Sequence, residues 1–135
     1  MDSARTITFR WVHGMPGDIS RYLARFRFAR PMPMWQPAIN AYRSDGCLRV
    51  CVDLAGVGRS EIELVVEPRR LTIRGTRDVP EPVEEKRRGS IQMLIMEIDY
   101  GPFERTIDLS DEIEVKAAHA DQENGLLWIH LPLKS

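Results

Sequence analysis

The chain has 135 residues, enough for one domain with a hydrophobic core and too few for two ordinary domains. Its hydrophobic fraction of 43% is typical of a globular protein, and no apolar run approaches the roughly 20 residues that cross a bilayer. The net charge of −1 argues against a dedicated nucleic-acid binder, and the start "MDSARTITFRW" is unlike a signal peptide. We therefore expect a cytoplasmic protein without a membrane span.

Residues 1–37 are predicted to form a basic, apolar arm. Arginines dominate the charge of this region, whereas the rest of the chain is acidic. Asp18 can cap a helix in "ISRYLARFRFAR", and the prolines of "RPMPMWQP" end that helix. Such an arm exposes more apolar surface than a monomer normally tolerates, so we expect it to bind other proteins. The candidate binding residues are Phe9, Trp11, Tyr22, Leu23, Phe26, Phe28, Met32 and Met34.

Residues 38–134 follow the pattern of an antiparallel all-β sandwich. Short segments with alternating apolar residues recur along this body, separated by glycine and proline. Asn124-Gly125 is predicted to form the turn before the last strand. No stretch of the body has the 3.6-residue period of a helix. The predicted strands are "AINAYR", "CLRVCVDLAG", "EIELVVE", "LTIRG", "FERTIDL", "EVKAAHA" and "LLWIHL".

A long polar loop is predicted between Thr76 and Ser90, because "TRDVPEPVEEKRRGS" is too charged to pack. The apolar segment Ile91–Met96 follows directly. A monomer would have to bury this segment locally. In a dimer, the loop could instead extend to the neighbouring protomer, so that the segment pairs with the edge of its sheet.

The sequence contains no nucleophile elbow, dinucleotide fingerprint or phosphate loop, so we predict neither an enzyme nor a cofactor. His119 and His130 become neighbours if their strands pair, but two histidines without a third ligand favour ordinary sheet residues over a metal site. Cys47 and Cys51 share one face of a strand at a separation of about 13 Å, which forbids a disulfide. We expect both to be reduced.

Arg105 has the same strand parity as the apolar residues Phe103 and Ile107. An arginine on an apolar face needs a carboxylate partner, unless it snorkels at the sheet edge. The sharper hypothesis is a buried or interfacial ion pair that fixes the register of a dimer. Glu97 and Asp99, or their copies across an interface, are the candidate partners.

Several stretches in the right order resemble the small heat-shock proteins, the family with an α-crystallin domain. "WQPAINAY" is similar to the entry of that domain, and "VDLAGVGRSEIELVVEPRRLTIRGTR" resembles its central run. "EIDYGPFERTIDLSDEIEVKAAHADQENGLLWIHLPL" resembles its last block, including the A-x-x-x-N-G-x-L signature. The resemblance covers about residues 35–134.

This resemblance implies an immunoglobulin-like sandwich that dimerises when a strand on the long loop pairs with the partner's sheet. Ile91–Met96 matches the exchanged strand, Ile39–Tyr42 the receiving edge, and Arg105 the arginine of the family's dimer interface. The implied interface residues are Ile39, Asn40, Ala41, Tyr42, Gln92, Met93, Leu94, Ile95, Glu97 and Arg105.

The resemblance also implies a groove between Glu61–Val66 and Val115–Ala120 that receives an Ile-x-Ile tail or a client segment. Its implied lining residues are Ile62, Leu64, Val66, Val115 and Ala117. Only three residues follow the final Leu-Pro of this chain. We therefore expect a groove that the chain itself leaves unoccupied, and no large assembly held by such a tail.

The leading hypothesis is a holdase chaperone that binds unfolding proteins without ATP. One alternative is a subunit that co-assembles with a tail-bearing paralogue. Another is a stress protein whose arginine-rich arm meets anionic lipid or phosphate.

Overall fold

The computed structural model describes residues 5–8, 34–89 and 91–135. Within these residues, eight strands form two four-stranded antiparallel sheets, accompanied by a short helix α1 (Val83–Arg87) and two single turns of 3₁₀-helix (Arg59–Glu61 and Val115–Ala117). The predicted immunoglobulin-like β-sandwich is confirmed. The strands are β1 Arg5–Thr8, β2 Ile39–Ser44, β3 Cys47–Asp53, β4 Ile62–Glu67, β5 Arg70–Arg77, β6 Gly101–Asp108, β7 His119–Glu123 and β8 Leu126–Pro132.

The order of the strands leaves the two sheets with different edges. One sheet has the order β1-β4-β5-β6, and the other has the order β2-β3-β8-β7. The edge of β6 is met by Trp35, whose backbone bonds to Pro102 and Glu104. In the second sheet, β2 and β7 are the two outer strands of the described residues.

Alternation along each strand places one apolar face inside the sandwich, as the sequence predicts. Leu64 on β4 lies opposite Ile73 on β5, and Val50 on β3 lies opposite Ile129 on β8. All four side chains are buried, and Phe103 on β6 is the largest fully buried residue. This single core joins both sheets.

Two hairpins turn on residues with positive φ. Asn124 (φ 53°) and Gly125 (φ 78°) connect β7 to β8, and Asp45 (φ 32°) and Gly46 (φ 74°) connect β2 to β3. Two-residue turns with both φ angles positive match the twist of the strands they join, and Asn-Gly and Asp-Gly favour them. The predicted Asn-Gly turn is confirmed.

Trp35 fastens the entry segment of the domain to β6. Its indole Nε1–H donates to the Gly101 carbonyl at 3.1 Å, and its ring stacks on Phe103 with centroids 5.2 Å apart. The guanidinium of Arg77 also lies over the Trp35 ring, 4.3 Å from its centroid. Trp35 therefore packs as part of the sandwich, although it precedes residue 38, where the sandwich is predicted to begin.

Replacing Trp35 by phenylalanine is expected to lower the free energy of unfolding by about 1–2 kcal/mol. The ring contact with Phe103 persists, but the buried Gly101 carbonyl loses its donor. Urea unfolding measures the change. Trp128, half-buried on the outer face of β8, is the matched control, and its replacement by phenylalanine should cost less than about 0.5 kcal/mol. Equal losses in both variants would contradict the role assigned to the indole N–H.

The segment "EVKAAHA" is not the single strand that its sequence predicts. Residues Val115–Ala117 form a turn of 3₁₀-helix, and β7 begins only at His119. Val115 and Ala118 are the buried residues of this stretch. Their spacing of three suits a 3₁₀ turn, in which side chains three apart lie on one side.

Two further boundaries differ from the sequence-based expectation. The predicted loop from Thr76 to Ser90 starts later, because β5 continues to Arg77 and Thr76 is buried, and it contains α1. Part of the predicted arm belongs to the sandwich, since residues 5–8 form β1 against β4. The predicted helix "ISRYLARFRFAR" lies outside the described residues. None of the helices in the described part of the chain is long and apolar enough to cross a membrane.

Candidate functional site

A continuous apolar segment lies exposed after the long loop. Residues 92–99 are all exposed and lie outside regular secondary structure. Leu94 is 83% exposed and Ile95 is 79% exposed, and Met93, Met96 and Ile98 add further apolar surface. Contiguous exposed apolar surface of this kind is rare on monomers and marks sites of protein contact. The segment is the one predicted to be exchanged between protomers.

Strand β2 presents the predicted receiving edge. Among the described strands it pairs with β3 alone, and Asn40, Ala41 and Tyr42 are exposed while Ile39 packs against the core. The Asn40 amide donates to the Tyr42 hydroxyl at 3.1 Å, and the Tyr42 ring stacks on Trp128 of β8 at 6.3 Å. An unpaired strand edge of this length offers backbone donors and acceptors to another strand.

Arg105 is half-buried on β6, opposite the buried Ile73 of β5. Its Nη1 donates to the backbone carbonyl of Pro37 at 3.3 Å. Within the described ranges, no ion pair joins it to Glu97 or Asp99. Both of those residues are exposed. The expected carboxylate partner within the chain is therefore wrong, because folding brings the carbonyl of the entry segment to this position instead.

Most of the predicted groove residues are buried in this structure. Ile62, Leu64 and Val66 are 1%, 0% and 0% exposed, and Val115 is buried as well, whereas Ala117 is exposed. The alternate residues of β4 face the second sheet and cannot line an open groove. The free edge of β4 is paired with β1, in a register that places Ile7 opposite Leu64. The chain itself therefore occupies the β4 side of the expected groove.

Most of the predicted client-binding arm lies outside the described residues, including Phe9, Trp11, Tyr22, Leu23, Phe26, Phe28 and Met32. Met34 is described and is exposed. Together with Trp35 and residues 96–100 it lines an open cavity of about 440 Å³. This cavity joins the end of the arm to the end of the exposed apolar segment.

Arg77 has a structural role that the sequence analysis did not single out. Its Nε and Nη2 both donate to the Asp99 carbonyl, and its Nη1 donates to the Ala55 carbonyl at 3.1 Å. The same guanidinium lies over Trp35. It thus holds the point where the exposed segment rejoins the sandwich. The sequence gives only a weak signal for this role, namely an arginine at the end of an apolar strand.

The two strand histidines are neighbours, as the hairpin hypothesis predicts. His119 on β7 lies directly opposite His130 on β8, with ring centroids 4.5 Å apart and ring planes at 14°. Burial lowers the pKa of the His130 imidazole below its ordinary value, and His119 and Arg49 lower it further, while Asp121 opposes them. The sequence analysis missed Asp121, although a carboxylate two residues after His119 shares its strand face.

Both cysteines are free thiols, as expected. Cys51 is buried, and this burial, together with Asp53, raises the pKa of its thiol. A thiol with a raised pKa stays protonated and is a poor nucleophile. The arrangement agrees with the interpretation of both cysteines as small apolar residues.

Comparisons with known proteins agree with this architecture. The family model described as Hsp20/alpha crystallin family matches residues 40–135. The chain is 30% identical over 123 residues to "Heat shock protein 16" of Schizosaccharomyces pombe, covering 90% of this chain and 82% of that protein. It is 32% identical over 98 residues to "Small heat shock protein C2" of Rickettsia felis, covering 73% of this chain and 60% of that protein.

Two solved structures are similar in fold. Heat shock protein 16.0 from Schizosaccharomyces pombe superposes with a TM-score of 0.64 at 28% identity, covering 73% of this chain and 87% of that one. The hspA protein from Xanthomonas axonopodis superposes with a TM-score of 0.63 at 28% identity, covering 76% and 97%. The matched region spans 60%, 54% and 53% of the length of three curated bacterial relatives. With the family model matching residues 40–135 and the two-sheet sandwich shared with solved members, this chain belongs to the Hsp20/alpha crystallin family of small heat-shock proteins.

Proposed function

We propose that the chain is an ATP-independent holdase chaperone, which binds unfolding proteins and suppresses their aggregation. The observation that carries this proposal is the exposed apolar surface of Met34, Met96 and Ile98 at the end of the segment. Unfolding proteins expose apolar side chains, and two such surfaces associate because contact removes both from water. Family membership supports the same function.

Strand exchange is the proposed mode of dimerisation. Residues 91–96 of one protomer would pair with Ile39–Tyr42 of its partner, adding a strand to the edge of β2. The long loop from residue 78 to residue 90 would span the distance between the two protomers. Pairing would place Leu94 and Ile95 beside the partner's sheet and remove most of their apolar surface from water. Arg105, which already contacts the Pro37 carbonyl just before β2, would lie beside this interface.

The other open edge of this sheet is less suited to that pairing. β7 has five residues and presents His119, Asp121 and Glu123 along its exposed face, whereas β2 has six residues and begins with an apolar one. Short, charged edge strands resist the addition of another strand. Charge on β7 therefore favours β2 as the receiving edge.

Client binding is proposed to centre on the cavity between the arm and the exposed segment. Met34, Met96 and Ile98 contribute its apolar lining. Methionine side chains are flexible and adapt to partners of different shape, as a chaperone for many clients requires. The apolar residues of the arm would extend this surface. The free thiols Cys47 and Cys51 are compatible with a reducing compartment, and we place this function in the cytoplasm.

The proposed function predicts that the chain suppresses the heat-induced aggregation of citrate synthase at about one protomer per client molecule. Light scattering at 90° measures aggregation, with an equal mass of serum albumin as the control. Addition of ATP should leave the suppression unchanged. Scattering equal to that of the albumin control at a tenfold excess of chain would refute the holdase function.

A further inference from the structure

Three side chains with metal-binding atoms converge on the outer face of the β7–β8 hairpin. His119 and His130 are direct cross-strand partners, and Asp121 follows His119 by two residues on the same face of β7. Their ligand atoms all lie within 4.8 Å of one another. His119 and Asp121 are exposed, and His130 is half-buried. The face is therefore open to an ion from solvent.

We propose that His119, Asp121 and His130 form a binding site for Zn²⁺. Two imidazole nitrogens and one carboxylate oxygen are ordinary zinc ligands, and a water molecule would complete a tetrahedral shell. Imidazole also suits Cu²⁺ and Ni²⁺, whereas Ca²⁺ and Mg²⁺ prefer oxygen ligands only. The donor set thus selects borderline transition-metal ions over the abundant hard cations.

Small side-chain rotations convert the observed arrangement into the bound one. Zn–N bonds of about 2.0–2.1 Å in a tetrahedral shell place ligand atoms about 3.3 Å apart. Because no two ligand atoms are more than 4.8 Å apart, they need to approach by about 1.5 Å at most. The imidazoles must turn out of their face-to-face stack, so that both lone pairs point at one ion. The backbone can remain in place, because the paired register already holds the three residues together.

The charges around the site act in opposite directions. The Asp121 carboxylate attracts a cation, whereas Arg49, which lies opposite His130 on β3, repels it. A ligating histidine must be neutral, and its ring nitrogen then offers a lone pair to the ion. Removing the Arg49 charge should therefore tighten binding, and removing the Asp121 charge should weaken it.

A bound ion would tie an edge strand to its neighbour. Of the strands that the structure describes, only β8 pairs with β7, and the site takes ligands from both. An ion that binds only the folded chain stabilises it in proportion to the logarithm of ion concentration above the Kd. Zinc is thus expected to raise the midpoint of thermal unfolding in proteins that retain the site.

Isothermal titration of the full-length chain with Zn²⁺ tests the proposal. We expect one ion per chain, and at least about tenfold weaker binding in each of His119→Gln, His130→Gln and Asp121→Asn, since loss of even a group that only orients a ligand costs that much. Arg49→Gln should bind more tightly. His13→Gln and Glu123→Gln are matched controls, and the double variant Cys47→Ser with Cys51→Ser removes the thiols. All three controls should bind as the parent chain does.

Circular dichroism verifies that each variant is folded, so that weaker binding reports the lost ligand. His119 and Asp121 are both exposed, and their substitution leaves the core unchanged. Undiminished affinity in the His119→Gln, His130→Gln double variant would overturn the site. So would binding that disappears with the thiols or with His13. A stoichiometry of one ion per two chains would replace the site within one chain by a bridge between copies, and would also overturn the proposal.

Discussion

Replacing both Leu94 and Ile95 by glutamate is expected to dissociate the proposed dimer and to remove most of the suppression of client aggregation. Successive residues of a strand point to opposite faces, so the pair places one carboxylate on each face of the exchanged strand. An unpaired carboxylate costs about 1–3 kcal/mol or more when it is buried. The two together should weaken dimerisation by at least about 30-fold.

The same substitutions should leave the fold of each protomer intact. Both side chains are largely exposed in the single chain, and exposed substitutions usually change the free energy of unfolding by less than about 0.5 kcal/mol. Light scattering after size exclusion measures the mass, and the citrate synthase assay measures the activity. Val83→Glu is the matched control, because Val83 is 64% exposed and lies on α1, before the exchanged segment. A double variant that is dimeric and fully active would rule out strand exchange through this segment.

The substitution Gly75→Ala is expected to destabilise the sandwich by about 3 kcal/mol, at the upper end for overpacking of a core. A Cβ atom on Gly75 of β5 would lie 2.0 Å from the Glu61 carbonyl oxygen and 2.7 Å from Cζ of Phe103. The Phe103 ring is stacked on Trp35, and a backbone carbonyl cannot rotate away. The main chain itself must shift to admit the methyl group.

Urea unfolding followed by circular dichroism measures this loss, which should also lower the thermal midpoint by about 10 °C. Gly58→Ala is the matched control. Its Cβ would meet only the Ser60 Oγ, at 3.9 Å, and its φ of −76° is open to alanine. We expect the control to lie within about 0.5 kcal/mol of the parent chain. A Gly75→Ala protein as stable as the control would show that β5 and β6 adjust more freely than their packing implies.

These two substitutions separate the stability of the sandwich from its proposed activity. Gly75 on β5 lies against the Glu61 carbonyl and the Phe103 ring of β6, and its substitution acts on the core. Leu94 and Ile95 contribute nothing to that core, and their substitution acts on the surface offered to a partner or client. If activity depended only on the stability of the fold, it would fall in the Gly75→Ala variant and survive in the variant with glutamate at positions 94 and 95.

Local pattern was sufficient for most of the strands. Alternation in "EIELVVE" and "LLWIHL" predicts β4 and β8, and Asn124-Gly125 predicts the turn that joins β7 to β8. The pairing of His119 with His130 follows from that turn, since a two-residue hairpin determines its own register. The same pattern gave a wrong account of "EVKAAHA", where a 3₁₀ turn competes with an extended strand over a few residues.

The predicted site was less accessible to sequence reasoning. An apolar face on β4 indicates burial against something, but the pattern does not distinguish the core from a groove. The structure assigns that face to the core and covers the β4 edge with β1. Arg105 likewise needed a polar partner, and a carbonyl from the entry segment takes the place of the expected carboxylate.

The sequence by itself determined the sandwich, the presence of an apolar segment after the long loop and the hairpin that brings two histidines together. Each depends on spacing along the chain, which the side-chain period of a strand converts directly into faces and turns. Only the tertiary structure decided that Pro37 meets Arg105, that residues 5–8 cover β4 and that Arg77 lies over Trp35. These contacts join residues that are distant in sequence, and packing of the two sheets, rather than any local preference, selects them.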